Sequence, residues 1–410
     1  MTLSPTRYEP LSWQDLSELA VPEPDRIHGP TNAQATLRLF GHAENDVVVT
    51  LYRDHHAWCP YCQKVWLWLE FKRVPYRIRK VTMRCYGPKE RWFLQRVPSG
   101  MLPVLELNGA LITESDEILL ALERRFGPLG QAMTDPDAIA LRQLERLLFR
   151  AWCLWLCSPG LNTRQQNQAR EQFQAVARRL EQELNRHSGP WLRGPTPETV
   201  DLIFVPYVER MNASLAYYKG FRLRHEHPAI DRWFRALEQL DTYRGTQSDI
   251  HTHAHDLPPQ MGGCWSDDEP EARRLAQCID RGDGLGEDEA CWDDMDNPSQ
   301  AAVALGRVLR HRQRLLALNP LGPNGFDRPL RCALTHLMQG ASCPPPTGSA
   351  AGLRYLRDRI SVPRDMPLPA ARLLRKALEA TASLDGPAQG PPLPTRDRFD
   401  QDPRPFLVQP

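Results

Sequence analysis

Lysine is scarce in this chain: of 51 cationic residues six are Lys and the rest are Arg. Fifty acidic residues balance them to a formal net charge of +1, so no basic excess points to a nucleic acid partner. Long apolar runs are also missing. None approaches the ~18 residues a spanning helix needs, so no membrane partner is expected. Residues 1–20 lack a basic start followed by an apolar core, and no secretory signal is expected there. Ten cysteines in 410 residues fall far below the density of a disulfide scaffold. Free thiols in a reducing cytoplasm are the simplest expectation. At 410 residues the chain exceeds what one core holds, so two or three domains are expected.

What is present is Cys59-Pro60-Tyr61-Cys62. An apolar run, Val47–Tyr52, precedes it and a helical apolar pattern, Val65–Leu69, follows, so the motif sits between a strand and a helix. Unpaired N–H groups and the positive end of the helix dipole favour a thiolate at Cys59. Pro60 suits the first helical turn, and Cys62, one turn on, could resolve a mixed disulfide on Cys59. The same spacing also serves as half a zinc site. The strand–helix context favours thiol chemistry.

Residues 1–46 read as a polar arm and 47–127 as a compact α/β unit. Strands are expected at Val47–Arg53, Tyr76–Met83, Val104–Leu107 and Ala110–Thr113. Asn108-Gly109 supplies a hairpin turn. Helices are expected at Cys59–Arg73, Lys89–Gln95 and Ser115–Phe126, the last entered at Glu114. Residues 136–245 form an all-helical domain, with helices Ala138–Leu156, Arg164–Arg186, Pro197–Met211 and Ala229–Leu240. Residues 246–297 read as an acidic, Gly-rich connector. Residues 298–384 read as a helical extension, with helices Ser299–Leu318, Pro329–Met338, Gly352–Ile360 and Pro369–Thr381. The Pro-rich stretch 385–410 reads as a disordered tail.

The CPYC helix start, the Leu102-Pro103 strand entry, the Glu114-Ser115 helix start and the helical domain together resemble the glutathione transferase superfamily. The cysteine type is similar to the omega, lambda and dehydroascorbate-reductase branch, and the first unit is also similar to glutaredoxin. The resemblance covers about 47–245. It implies a thioredoxin-like α/β domain (βαβ-ββα) followed by an all-α transferase domain and a further helical extension. Asp358–Met366 resembles a C-terminal extension of cyanobacterial and plastid members.

The resemblance also implies roles. Pro103 is expected to be cis, with the Leu102 backbone pairing with the cysteinyl part of glutathione. Glu114 and Ser115 would take its γ-glutamyl end, Lys89 its glycyl carboxylate, and Tyr61 would lie on the redox side of the pocket. Glutathione is the implied co-substrate, with no metal. Trp152, Trp155, Tyr207, Tyr217 and Tyr218 are candidate walls for the second substrate, a small electrophile or disulfide. A homodimer is common in related folds. The family's Ser/Thr-x-x-Asp helix cap is altered: Asp201 matches its acid, but Glu198 stands at the hydroxyl position, so the cap is expected to shift to Thr196.

The function expected is glutathione-dependent thiol transfer or reduction at Cys59, with dehydroascorbate-type substrates included. The alternative is a non-catalytic module of the same fold whose C-terminal helices dock a partner. A third is an iron–sulfur site shared by two chains through Cys59. His55 and His56 read as exposed loop residues. His251, His253 and His255, with Cys264 nearby, read as a polar loop, with metal binding as the lesser alternative. Cys153 and Cys157, one turn apart, read as a core pair.

Overall fold

β-Branched and aromatic residues with an alternating pattern build the sheet, and α2 closes one face of it. The computed structural model describes residues 9–267, 269–285, 298–387 and 396–407. Its strands are β1 (Leu37–Arg38), β2 (Val49–Asp54), β3 (Tyr76–Val81), β4 (Val104–Leu107) and β5 (Ala110–Thr113). They lie in the order β1-β3-β2-β4-β5. β2 and β3 run parallel, with Val49 opposite Tyr76, and the other pairs are antiparallel. The β4–β5 hairpin turns through Asn108 (φ 50°) and Gly109 (φ 84°), the left-handed pair a two-residue turn requires.

The first helices are α1 (Trp13–Glu18), α2 (Pro60–Phe71), α3 (Arg91–Arg96) and α4 (Ser115–Phe126). The helical domain follows with α5 (Pro136–Cys157), α6 (Thr163–Leu184), α7 (Thr199–Lys219), α8 (Leu223–Glu226), α9 (Pro228–Glu238) and α10 (Asp241–Thr246). α7 is buried almost all round and forms the axis against which α2 and α5 pack. Trp66, Trp68, Trp152, Trp155 and Trp233 share one core that runs through both domains. Each side chain fully withdrawn from water there contributes about 1.5–3 kcal/mol.

The segment expected as a connector is helical where it is described. α11 (Ile250–Met261) and α12 (Pro270–Arg281) both pack on α7. Half of the acidic residues behind the connector reading, including Glu287–Glu289, lie outside the described residues. The extension holds α13 (Pro298–Leu318), α14 (Gly322–Gln339), α15 (Ala350–Arg357) and α16 (Leu368–Ser383). They close on a second core, which Leu16 of α1 enters.

The arm is fastened to the body. β1 pairs with β3, and Arg38 makes a two-pronged contact with Glu70 at 3.0 and 3.1 Å. Glu70 also accepts from Thr31 Oγ1 (2.6 Å) and Tyr76 Oη (2.7 Å), so its buried charge is fully used. Within the expected tail, residues 396–407 are packed rather than loose. Arg398 is buried and ion-paired with Asp256. Residues 388–395 and 408–410 lie outside the described residues.

Candidate active site

β2 ends in Asp54, and the loop that follows must turn back into α2. The buried Asp54 carboxylate directs that turn. It accepts the N–H of Trp58 at 2.7 Å and that of Cys59 at 3.2 Å. Cys59 is the residue immediately before α2, and Pro60 occupies the first turn. Cys59 Sγ lies 4.0 Å from the carbonyl oxygen of Leu102, at the outer limit of a thiol hydrogen bond. The Leu102–Pro103 peptide is cis, as the resemblance implies.

Cys59 keeps 6% of its surface and Cys62 keeps 1%, so a reactant meets the pair at Cys59 and from one side. Burial, followed by the hydrogen bond and the charge of Cys59, pushes the Cys62 thiol well above its ordinary range. The Asp54, Cys59 and Cys62 ligand atoms lie within 4.8 Å of one another, the one such group of three among the described residues. Each Asp54 oxygen accepts one backbone N–H, so the carboxylate's part in this group is already accounted for by the turn into α2.

Lys89 donates to the Thr82 carbonyl at 3.0 Å. Burial pushes its ammonium down, while the charges of Cys62, Asp54 and Cys59 oppose that shift. Glu90 accepts from Thr82 N–H (2.9 Å) and Thr82 Oγ1 (2.7 Å), and His55 lies 3.5 Å away. Burial raises the Glu90 carboxyl, but these contacts outweigh it and bring it to about 2.

Tyr61, Glu114 and Ser115 line a cleft of about 830 Å³ between the first domain and α5. Glu114 precedes α4 with φ 62° and ψ 116°, a backbone conformation costing about 1–3 kcal/mol that tends to persist at binding sites. Asp116, in the same cleft, is raised by burial but drawn down to about 2 by Lys64 and Arg142. Cys59, Lys89, Leu102 and Pro103 do not line this cleft, so the expected site residues fall into two adjoining sets. Tyr61, two residues from Cys59, belongs to the cleft set and is 38% exposed.

The expected aromatic walls are placed otherwise. Trp152 and Trp155 are core residues, and Trp152 donates to Ser214. Tyr217 and Tyr218 bond to Asp280 and to the Ala254 carbonyl, away from the cleft. Tyr207 is buried edge-on against Tyr61, with ring centroids 5.9 Å apart. The aromatic faces of α5 and α7 point inward, so the cleft wall is instead Arg142, Arg146, Leu147, Arg150 and Ile203.

The histidines also differ from expectation. His56 is fully buried, stacked on Tyr86 at 3.5 Å, with Arg364 donating to its Nε2. Burial, and then Arg364, pushes its pKa well down. Arg364 and Gln401, which complete this cover, lie far along the chain, and no local pattern around His56 could reveal them. His251, His253 and His255 sit on a buried helix rather than an extended loop. His251 and His255 share one face, and His253 turns toward Glu209 at 3.7 Å. Cys264 instead joins the thiols of α5. Hydrogen bonds from Cys153 and Cys264 bring Cys157 down, and all three pack, half-buried, against the main core, so the expected core pair is a trio.

A thioredoxin-like sheet unit with a cysteine at its first helix start, docked on an all-helical domain, is the architecture of the glutathione transferases. Residues 58–125 match the family model for the glutathione S-transferase N-terminal domain, and residues 163–236 match that for the C-terminal domain. These two segments carry the N- and C-terminal domains of the glutathione transferase superfamily, with Cys59 at the start of the first domain's α2. The chain is 27% identical over 190 residues to glutathione S-transferase DHAR2 of Arabidopsis thaliana, covering 46% of this chain and 84% of the relative. It is 26% identical over 191 residues to the probable cytosolic glutathione S-transferase DHAR1 of Oryza sativa subsp. japonica, covering 46% and 84%. Glutathione transferase Omega 3C from Trametes versicolor aligns at 23% identity with a TM-score of 0.42, over 58% of this chain and 94% of that one.

Proposed function

We propose that the protein is a glutathione-dependent thiol transferase or reductase that works through a Cys59 thiolate. The observation that carries this reading is Cys59 at the start of α2, held by Asp54 and 4.0 Å from the Leu102 carbonyl. A strand-like pairing of the Leu102 backbone with the cysteinyl part of glutathione sets the two sulfurs together. Ser115 at the α4 start and Glu114 take the γ-glutamyl end, and Lys89 takes the glycyl carboxylate. Tyr61 borders the entrance for the second substrate. The names of the plant relatives, glutathione S-transferases, support glutathione as the co-substrate, and a dehydroascorbate-type or disulfide substrate fits the same scheme at Cys59. A reducing compartment, the cytoplasm, suits chemistry that consumes glutathione.

With a glutathionylated thiol as substrate, the Cys59 thiolate attacks the glutathione sulfur. The old S–S bond breaks, a Cys59–glutathione bond forms, and the released thiolate takes a proton. A second glutathione thiolate then attacks the glutathione sulfur of that bond, frees Cys59 and leaves as glutathione disulfide. Cys62, buried and with its thiol pushed up, is the slower route of release.

The test is intact-mass and peptide mass spectrometry after incubation with glutathione disulfide. One added glutathione on Cys59 is expected. An unchanged mass, or an adduct on another cysteine with Cys59 unmodified, would overturn the reading. The 6% exposure of Cys59 favours a second reading, a glutathione-fold module without turnover. Glutathione binding by calorimetry with no Cys59 adduct would decide for it. Against a free docking surface on the extension, its helices close their apolar faces on a core of their own.

A further inference from the structure

Between β3, the extension and residues 400–407 lies a cavity of about 310 Å³ that is separate from the Tyr61–Ser115 cleft. Six cations line it: Arg26, Lys80, Arg307, Arg310, Arg359 and Arg364. Three carboxylates answer them. Asp400 pairs with Arg359 at 2.9 Å and Asp365 with Arg364 at 2.7 Å. Glu23 is shared by Arg26 (2.6 Å), Arg310 (2.5 Å) and Arg307 (3.6 Å).

Lys80 has none. It stands on the face of β3 that also presents Tyr76 and Ile78, and its ammonium has no hydrogen-bond or ion-pair partner among the described residues. Burial, and then the charges of Arg53, Arg26 and Arg307, push its pKa well down. Lys80 is half-buried, and an ammonium that faces the cavity among like charges favours an anion beside it. The lining also holds hydrocarbon, from Val308, Leu315 and Leu318 of α13 and from Leu356 of α15.

From this pairing of an under-neutralised cationic wall with an aliphatic one, we propose that the cavity binds a small amphipathic organic anion, a carboxylate or phosphate carried on a single apolar chain. The head sits against Lys80, Arg307 and Arg26, and the chain lies along α13. The volume is at the lower end of small-molecule sites, about 300–1,000 Å³, which suits one short chain and excludes a two-chain lipid. Neither wall is supplied by the matched transferase segments alone, since Arg307, Leu315 and Leu356 belong to the extension. The inference therefore stands apart from Cys59 chemistry.

The full-length protein would be titrated by calorimetry and thermal melting with decanoate, decanol and inorganic phosphate. Decanoate is expected to bind and to raise the melting temperature, with decanol and phosphate each at least about tenfold weaker. Lys80→Met is expected to weaken decanoate about tenfold while the unliganded melting temperature holds or rises, because an unpaired cation is gone. Arg310→Gln, at a half-exposed position that poses little risk to folding, is expected to weaken decanoate in the same direction. Absence of decanoate binding would overturn the proposal. So would decanol or phosphate binding as tightly as decanoate, or both variants binding it as the parent does.

Discussion

Arg375 of α16 is ion-paired with Asp249, the residue that caps α11, and both side chains are buried. The carboxylate also receives Thr252 N–H at 2.9 Å, and Arg375 donates further to the Ile360 carbonyl. Extension and transferase half are thus joined through a charge that neither can leave bare. Arg375→Met is expected to cost about 3–5 kcal/mol in chemical denaturation, because Asp249 stays behind unpaired. Adding Asp249→Ser, which retains a cap, is expected to recover part of it. Loss of less than about 1 kcal/mol in the single variant would show that water reaches the pair.

Cys62→Ser is expected to retain most thiol-transfer turnover, since the buried, protonated Cys62 is not needed when a second glutathione releases Cys59. Cys59→Ser is expected to abolish it. Steady-state assays with a glutathionylated peptide separate the two. Complete loss in Cys62→Ser would make the dithiol route obligatory.

Glu90 titrates at about 2 in the fold against an ordinary 4.5. Its folded value is depressed, so its contribution is fully present above pH 4.5 and is lost as pH falls toward 2. Glu90→Gln is expected to cost about 2 kcal/mol at pH 7, the worth of hydrogen bonds to a charged group. The gap to the parent should narrow between pH 4.5 and 2. A gap that stays constant in urea melts across that window would exclude Glu90 as the titrating group.

Asp201 accepts Leu192 N–H, Glu198 N–H and Trp233 Nε1, each at 3.0 Å, from a fully buried position. Burial raises its carboxyl to about 6 in spite of these donors. Asp201→Ala strands three buried donors, and a loss of about 3 kcal/mol in denaturation is expected. Hydrogen exchange at the start of α7 should accelerate with it.

Local signals located the elements well. The Asn108-Gly109 turn and the strands it joins, the start of α4 at Ser115, and the Pro60 helix start all lie where their residues place them. The start of α7 was harder to read. Thr196-Pro197 resembles a cap followed by a first turn, yet the helix begins at Thr199 with Glu198 before it, because Asp201 ties down the Glu198 N–H. His251, His253 and His255 alternate as in a strand, but Asp249 caps a helix there and α7 buries it. The exposure of His56 was illegible for a different reason, since its partners Arg364 and Gln401 lie more than 300 positions away. For the same reason the sequence separated Lys80 from the arginines of α13.

The backbone oxygen of Gln401 reaches His56 across 345 positions of chain, and Arg364 contacts the same ring. During synthesis, the loop leading to Cys59 leaves the ribosome long before either contact exists. The thiol end of the first domain is therefore made well before these contacts can close over it. Until Arg364 and Gln401 emerge, its imidazole is open on that side to whatever the nascent chain meets.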